Sequence, residues 1–533
     1  MAFPWTLERY VFREMGKACL LAAAGLTVSL SLGGGVLNMI KLGEVTPGQL
    51  LRLMTLVIPI AAALTLPVAV LFSAAATYGR LSADNEFVAC RSSGVNLHLL
   101  FLPALVLGMI SATVTFACLN FLIPQIVGNL DHFLEADVIT MLQRRLDQPR
   151  GIRLDRDGRG LRIAADRAAV AADDPNSVSL AGIAFMELEG GRCLRYGTAE
   201  RVDLTFDRST ERIRASGRMV NLSFFDLEAE RFAELSQQVV AARDLPALVP
   251  REIKFLNLPR LLHYSAHPEL WFEVTSAFDR LRMFVARLAA YDRLADQWAN
   301  AGRRIVLADS DGHYTLSSAQ ADRLARDSGI ELRQARVEIT QGGRRQTCEA
   351  ERVVLEVTRG DSIDGAGVQI EAYNARVSSG GQSVTRAKAA FGPAPLPPDV
   401  VQKVGALSPA ALLAYPAGGP GPLAEQQLKT RAARDAAVRA IVSTLHERHA
   451  FSASVLVLVV LGAALGIIFR GAQAVVAFGI SFVPSLLVIV TIVMGKQMAH
   501  NASTHQFGLL VMWSGILVVA CGDLWLLTRV VRR

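Results

Sequence analysis

The sequence predicts a membrane all-α protein, six transmembrane helices set three and three around one soluble, strand-rich region. Three observations carry this. Apolar residues make up 51% of the 533 and charged residues only 19%, with a mean hydropathy of +0.33. That is too apolar for a soluble enzyme of this length. Stretches without Asp, Glu, Lys or Arg recur three times near each end, and the chain between them alternates with a period of two.

The charge-free stretches run between Lys17 and Lys41, Arg52 and Arg80, Arg91 and Asp131, Arg448 and Arg470, Arg470 and Lys496, and Lys496 and Asp523. Each holds at least 21 residues, enough for a helix to cross a hydrocarbon core of ~30 Å. Helix is the form expected, because an open strand in lipid leaves backbone groups unpaired. The first stretch is too long for a cleavable signal peptide, and a second follows after a short connection at 43–49. Pro59, Pro67, Pro103 and Pro484 predict bends. Gly33-Gly34-Gly35 predicts close helix packing or a bend.

Short-loop charges set the direction. Arg9, Arg13, Lys17, Arg80, Arg91, Arg470, Arg529, Arg532 and Arg533 fall on one side; Lys41, Arg52 and Lys496 fall on the other. The excess places both termini in the cytoplasm. Residues 131–447 then lie outside, in the periplasm of a bacterium.

Within that region, Leu161–Val170, Val178–Leu188, Cys193–Phe206 and Arg212–Phe225 read as strands separated by polar turns, which predicts an antiparallel sandwich or roll. Asp279–Trp298 reads as an amphipathic helix, with Leu281, Phe284, Leu288 and Tyr291 at helical spacing. Ala335–Thr340, Arg352–Thr358 and Val368–Val377 form a second strand-rich patch. Gly392–Pro422 is dense in Pro, Gly and Ala and reads as a linker, followed by a polar helix over 423–447. No internal repeat of fixed period is evident. The resulting boundaries are 1–130 for the first three spans, 131–255 and 256–395 for two soluble parts, 396–447 for linker and connecting helix, and 448–533 for the last three spans.

The net charge of +7 comes without a Lys/Arg-rich block, which argues against nucleic acid; basic residues beside apolar spans suit anionic lipid. The six cysteines contain no CxxC, so no zinc or redox pair is indicated. His446-Glu447-Arg448-His449 has its histidines at i and i+3, whereas a zinc protease helix needs i and i+4. A polar cap at a membrane boundary is the expectation there. P-loop and nucleophile-elbow motifs are absent from the sequence. No catalytic residue, metal site or cofactor is expected.

The loop Tyr78–Val95 between spans two and three is the most informative stretch. Ser82 is placed to cap a short helix, with Asn85 and Glu86 in its first turn. Phe87, Val88 and Arg91 would form a mixed face, and Gly94 would end the helix. A docking helix and a solvated interfacial helix are equally compatible with these residues.

Gly79-Arg-Leu-Ser-Ala-Asp-Asn-Glu-Phe-Val-Ala-Cys-Arg-Ser-Ser-Gly94 resembles the G-R-L-S-x-D-N-E loop of the LptF/LptG permeases, membrane subunits of the lipopolysaccharide-exporting ABC transporter. Leu66-Pro-Val-Ala-Val-Leu71, the Arg9-Tyr10 start with Arg13-Glu14, and Glu447–Ala450 through Leu461-Gly-Ala-Ala-Leu-Gly466 to Arg470-Gly471 resemble further motifs of that family. The sequence departs from the family's pattern at Ala464, where a proline is usual, and in the length of its soluble region. The resemblance implies a transport subunit that is not itself an enzyme. It implies a periplasmic β-jellyroll over 131–255, leaving 256–395 as an α+β insertion. It also implies partners: an ATP-binding subunit (LptB-like) that docks on the loop, a paralogous permease, and periplasmic bridge proteins (LptC/LptA-like).

On the same basis Glu86 is the main polar contact to the ATPase, supported by Asp84, Arg91 and Ser82, with Gly94 closing the helix. Arg80 would anchor the loop to lipid headgroups. Lys41 and Arg52 would meet lipopolysaccharide phosphates, although snorkelling at helix ends explains both equally well. A membrane scaffold or sensor, or an ABC permease for another lipid or lipoprotein, are the alternative functions.

Overall fold

The computed structural model describes residues 5–36, 47–93, 97–128, 152–244 without 157–158, 172–173, 190–191, 208–213 and 228–230, 252–469 without 310–311, 324–328, 342–343, 358–362, 364–365, 380–381 and 417–420, and 474–532. Six helices among these are long and apolar enough to cross a membrane, three before the strands in chain order and three after.

The chain divides into two compact units. The first contains residues 1–133, 251–268 and 435–533. Its helices are α1 (Trp5–Leu30), α2 (Pro47–Ala83), α3 (Glu86–Ser92), α4 (Leu97–Leu100) and α5 (Leu102–Ala117), then α6 (Leu258–Ala266), the latter part of α10, α11 (Ala474–His500) and α12 (His505–Arg532). α10 as a whole spans Pro422–Ile468. The triple glycine lies in a π-helical turn, Ser31–Val36, and a side chain at Gly33 would meet no atom within 4 Å. The backbone irregularity expected of that run is present, and Gly33 itself packs against nothing.

α2 and α10 carry the core of this unit. Ala69, Val70, Ala74 and Tyr78 share one buried cluster with Val11 and Met15 of α1 and Val455, Val459 and Ala463 of α10. Leu71 joins a second cluster with Leu458, Leu461 and residues of α11 and α12. Helices in lipid gain little from apolar burial as such, so close backbone approach is what holds them together. Here Gly462 and Gly466 provide it: a Cβ on Gly462 would stand 2.5 Å from the Leu71 carbonyl, and one on Gly466 2.7 Å from that of Ala75. Between α1 and α2, Thr27 and Thr65 hydroxyls pair at 2.9 Å. Outward-facing Leu20, Leu21, Val483 and Leu510 are exposed, as expected of surfaces that meet lipid.

The second unit contains residues 134–250 and 269–434. Strands β1 (Ile152–Arg156), β2 (Arg159–Ala171), β3 (Asp174–Glu189), β4 (Arg192–Asp207), β5 (Arg214–Asp226) and β6 (Arg231–Asp244) form an antiparallel sheet in that order. A second sheet orders β13 (Gln382–Pro395), β12 (Gly367–Ser379), β11 (Arg344–Val357), β10 (Ile330–Gln341), β8 (Gly312–Ser317) and β7 (Arg304–Asp309), with β9 (Gln320–Arg323) paired to β10. Antiparallel sheets were expected, but each strand pairs with its sequence neighbours, β9's interposition apart. The crossovers that define a jellyroll are absent among the described strands.

The amphipathic helix is α7 (Phe272–Asn300), longer than its periodic stretch. Leu281, Leu288 and Tyr291 are buried as expected, Phe284 only in part. The Tyr291 hydroxyl accepts from the Val357 amide at 3.1 Å, tying α7 to β11. The expected linker is largely ordered: α8 (Pro398–Gly405) and α9 (Pro409–Leu413) lie within it and bury Val400, Val404 and Leu412. Its prolines start helices here, where a missing N–H costs nothing. Cys193 and Cys348 are both free thiols.

Each sheet carries a transverse row of irregular residues. In the first, pairing skips Asp166, Gly182, Glu200 and Asn221 on successive strands, with Gly182 and Asn221 left-handed (φ 63° and 50°). In the second it skips Gln334, Glu351 and Asn374, with Gln334 and Asn374 left-handed (φ 47° and 51°). The Asn221 amide donates to Glu200 at 2.6 Å, and the Asn374 amide donates to Glu351 at 2.7 Å. At each such position one residue is skipped on both strands and the register is kept, so the ladder is interrupted along a line across the sheet.

Candidate functional site

The loop between spans two and three is built on a break at Asn85. α2 closes with the amides of Asp84 and Asn85 donating to the carbonyls of Arg80 and Ser82. Asn85 then takes a left-handed backbone (φ 56°), which asparagine tolerates better than other side chains. Its carbonyl accepts from Ala89 at 3.1 Å and opens α3. Replacing Asn85 with valine is expected to cost about 1–2 kcal/mol, the left-handed penalty of a branched residue, whereas Asn85→Gly is neutral within ~0.5 kcal/mol. Thermal melts of the detergent-purified variants distinguish the two.

Three contacts hold the base of this loop. The Tyr78 hydroxyl donates to the Leu100 carbonyl at 2.6 Å, and its buried ring stacks on Phe101 at 5.8 Å. Arg80 reaches α1, donating to Glu14 at 3.1 Å and to the Tyr10 hydroxyl at 3.4 Å. The Ser82 hydroxyl is buried and donates to the Ile467 carbonyl of α10 at 3.2 Å. One expectation is corrected. Ser82 is inside α2 and does not cap α3, because helix α2 continues past it to Ala83. Arg80, half exposed, engages the Glu14 carboxylate of α1.

Above this base the short helix presents its polar end outward. Asp84, Asn85 and Ala89 are exposed and Glu86 half-buried. Burial, and secondarily the Glu86 carboxylate, push the Cys90 thiol above its usual pKa, so this cysteine is a poor nucleophile. At the other end of the helix the Ser92 and Ser93 hydroxyls donate to the Ala89 carbonyl. Arg91 lies in α3 with its side chain outside the described residues, and Gly94 lies outside them altogether. The same holds for Lys41; Arg52 belongs to α2, but its side chain is not described.

A buried polar constellation escaped sequence reading. Arg448, 4% exposed, donates to Asn120 Oδ1 at 3.2 Å and to the carbonyls of Lys254 and Leu256 at 2.9 and 2.8 Å. Asn120 is oriented by its own bond to the Phe116 carbonyl. Next to Arg448, Glu447 pairs with Lys496 of α11 at 2.5 Å, and His446 accepts from the Trp513 indole at 3.2 Å. Read along the chain, Arg448 marks only the edge of an apolar stretch; a lone arginine flanked by two histidines and a glutamate was the available signal. Among the described residues, no group of His, Cys, Asp and Glu could hold a metal ion.

The family model described as lipopolysaccharide export system permease LptF/LptG matches residues 9–138 and 299–529. These segments include the loop, its base, Arg448 and the whole second sheet. Residues 139–298, with the first sheet, α6 and most of α7, fall between them. No curated individual protein matches the chain. Since the match spans more than half of the sequence, the chain belongs to the LptF/LptG family of lipopolysaccharide export permeases.

Proposed function

We propose that this permease extracts lipopolysaccharide, or a closely related anionic lipid, from the inner membrane and passes it to a periplasmic bridge, driven by a separate ATPase subunit. The observation that carries this reading is the bracing of the loop. α3 rises from a base bonded to α1, α4 and α10 at once, so a force on α3 reaches several membrane helices together. Asp84 and Glu86, at the start of that helix, are its polar contacts to the ATPase, and Arg91 of the same helix supports them.

The remaining parts follow the family pattern. A second permease chain completes a cavity lined by α1 and α11, with Lys41 and Arg52 at its rim for phosphates. Both termini face the cytoplasm, and both sheets lie in the periplasm. The second sheet, within the matched residues, serves as the family's periplasmic β-domain. The first sheet with α6 and α7 is then the addition, which reverses the division expected from the sequence.

Glu86→Lys places a cation where an anion meets the ATPase. The variant is expected to fold with an unchanged melting temperature, lose the co-purifying ATPase subunit, and fail to release lipid. Undiminished ATPase association and lipid release in Glu86→Lys would reject the assignment and favour a scaffold or sensor role.

A further inference from the structure

Residues 251–268 lie between stretches of the soluble unit, yet they belong to the membrane unit. The chain thus returns to the bundle between the first sheet and α7. What seats it there is a buried cation. The Arg448 guanidinium donates to the carbonyls of Lys254 and Leu256, in and just after the 3-10 turn Ile253–Phe255. Phe255 packs on Ile60 of α2 and on Ile123 and Val127, which follow the π-helical turn Cys118–Leu122 that continues α5. Asn257 then caps α6, its side-chain oxygen accepting from the Arg260 amide at 3.0 Å.

These contacts fix a depth. Arg448 opens the charge-free stretch of the fourth span. Its other partner, Asn120, directly precedes Phe121 and Leu122, which are 47% and 43% exposed on the outside of the third span. α6 therefore starts where the apolar spans meet the bilayer surface. Its own pattern suits that level. Leu261 and Tyr264 face the bundle and are buried. Around the rest of the helix, Leu258, Leu262 and Ala266 recur every four residues on one side, and Leu262 is 54% exposed. Arg260, His263 and His267 fall on the other side, all exposed. Ile253, Phe255 and Leu256, before the helix, are only half-buried. A single exposed leucine in water needs no explanation. A run of part-exposed apolar residues continuous with a lipid-facing surface has one, which is lipid.

We infer that residues 253–266 form an interfacial membrane segment, with Leu258 and Leu262 among the acyl chains of the nearer leaflet and Arg260 at the lipid phosphates. An amphipathic helix in such a place buries its apolar side about 5–10 Å into the boundary between headgroups and acyl chains. Charge complementarity selects a bilayer as the partner: a cation and apolar side chains share one helix at one depth, on different sides. The segment lies outside the residues matched by the family model, so it belongs to what this chain adds. It ties the connection between the first sheet and α7 to the bilayer surface. The inference rests on the six spans, and lipid export neither requires it nor follows from it.

The test is fluorescence quenching in the full-length protein, reconstituted in vesicles of phosphatidylethanolamine and phosphatidylglycerol. An encoded fluorescent residue replaces Leu262 or His263, with Leu21 of α1 as the lipid-facing limit and Val384 of β13 as the aqueous one, both exposed. Brominating the acyl chains should dim position 262 about twofold, close to the loss at 21, since a face sunk ~5–10 Å meets the bromines. Position 263 should respond to aqueous acrylamide and not to bromine, as 384 does. Quenching of 262 by acrylamide and not by bromine puts α6 in water and overturns the inference. Equal bromine quenching at 262 and 263 also overturns it, because a submerged helix is not an interfacial one. Shielding of 262 from both quenchers means that a protein surface, such as a second copy of this chain, covers α6, and overturns it too. None of these outcomes bears on lipid export, which Glu86→Lys tests separately.

Discussion

Arg448→Met is expected to be the most damaging single substitution in the membrane unit. Methionine fills much of the arginine's volume but donates nothing. The carbonyls of Lys254 and Leu256 and the Asn120 side chain lose their shared donor. A buried acceptor left unpaired costs about 1–3 kcal/mol, so three together predict a loss of about 3–5 kcal/mol, the range seen when a buried charge cluster is broken. Arg448→Lys should recover only part of this, since an ammonium cannot span three acceptors as a planar guanidinium does. Melting temperatures in detergent measure both effects. A methionine variant as stable as the parent would mean that water replaces the guanidinium, and that Arg448 is peripheral to the fold.

The second large effect is expected at Gly466. A Cβ there would stand 2.7 Å from the Ala75 carbonyl, 2.9 Å from the Gly79 nitrogen and 3.2 Å from the Tyr78 side chain. The two nearest atoms belong to backbone, so they cannot rotate away, and α2 and α10 must separate. Overpacking of this kind costs about 1–3 kcal/mol, and here it also pulls Ser82 from the Ile467 carbonyl. Gly466→Leu should therefore lose stability and ATPase association together. Gly79→Ala is the control on the same contact: its Cβ would meet nothing closer than 3.7 Å, and in a helix alanine gains up to about 1 kcal/mol over glycine. Equal melting temperatures for Gly466→Leu and Gly79→Ala would show that close approach of α2 and α10 at Gly466 does not hold the unit together.

These residues mark how far the sequence could be read. The spans were legible because a hydrocarbon core imposes a length and forbids charge, both one-dimensional properties. Helix α7 was legible for a similar reason, its apolar residues recurring at helical spacing. The loop motif was legible as composition, and the left-handed backbone at Asn85 gives the reason an asparagine stands there. Ser82 was misplaced because a serine that caps a helix and one that bonds to a neighbouring helix look alike in sequence. The irregular row in each sheet was missed because a skipped pair is set by partners on neighbouring strands and leaves no pattern along the chain.

By itself, the sequence determined that six segments are long and apolar enough to span a bilayer, that the chain between them forms antiparallel strands and an amphipathic helix, and that one loop carries a family signature. Local propensity and solvent decide such properties, and both act on neighbours in the chain. Only the tertiary structure decided which strands pair, which glycines touch another helix, and that Arg448 is buried among carbonyls. Those depend on atoms brought together from distant positions, such as 120, 254 and 448, whose proximity no local pattern encodes.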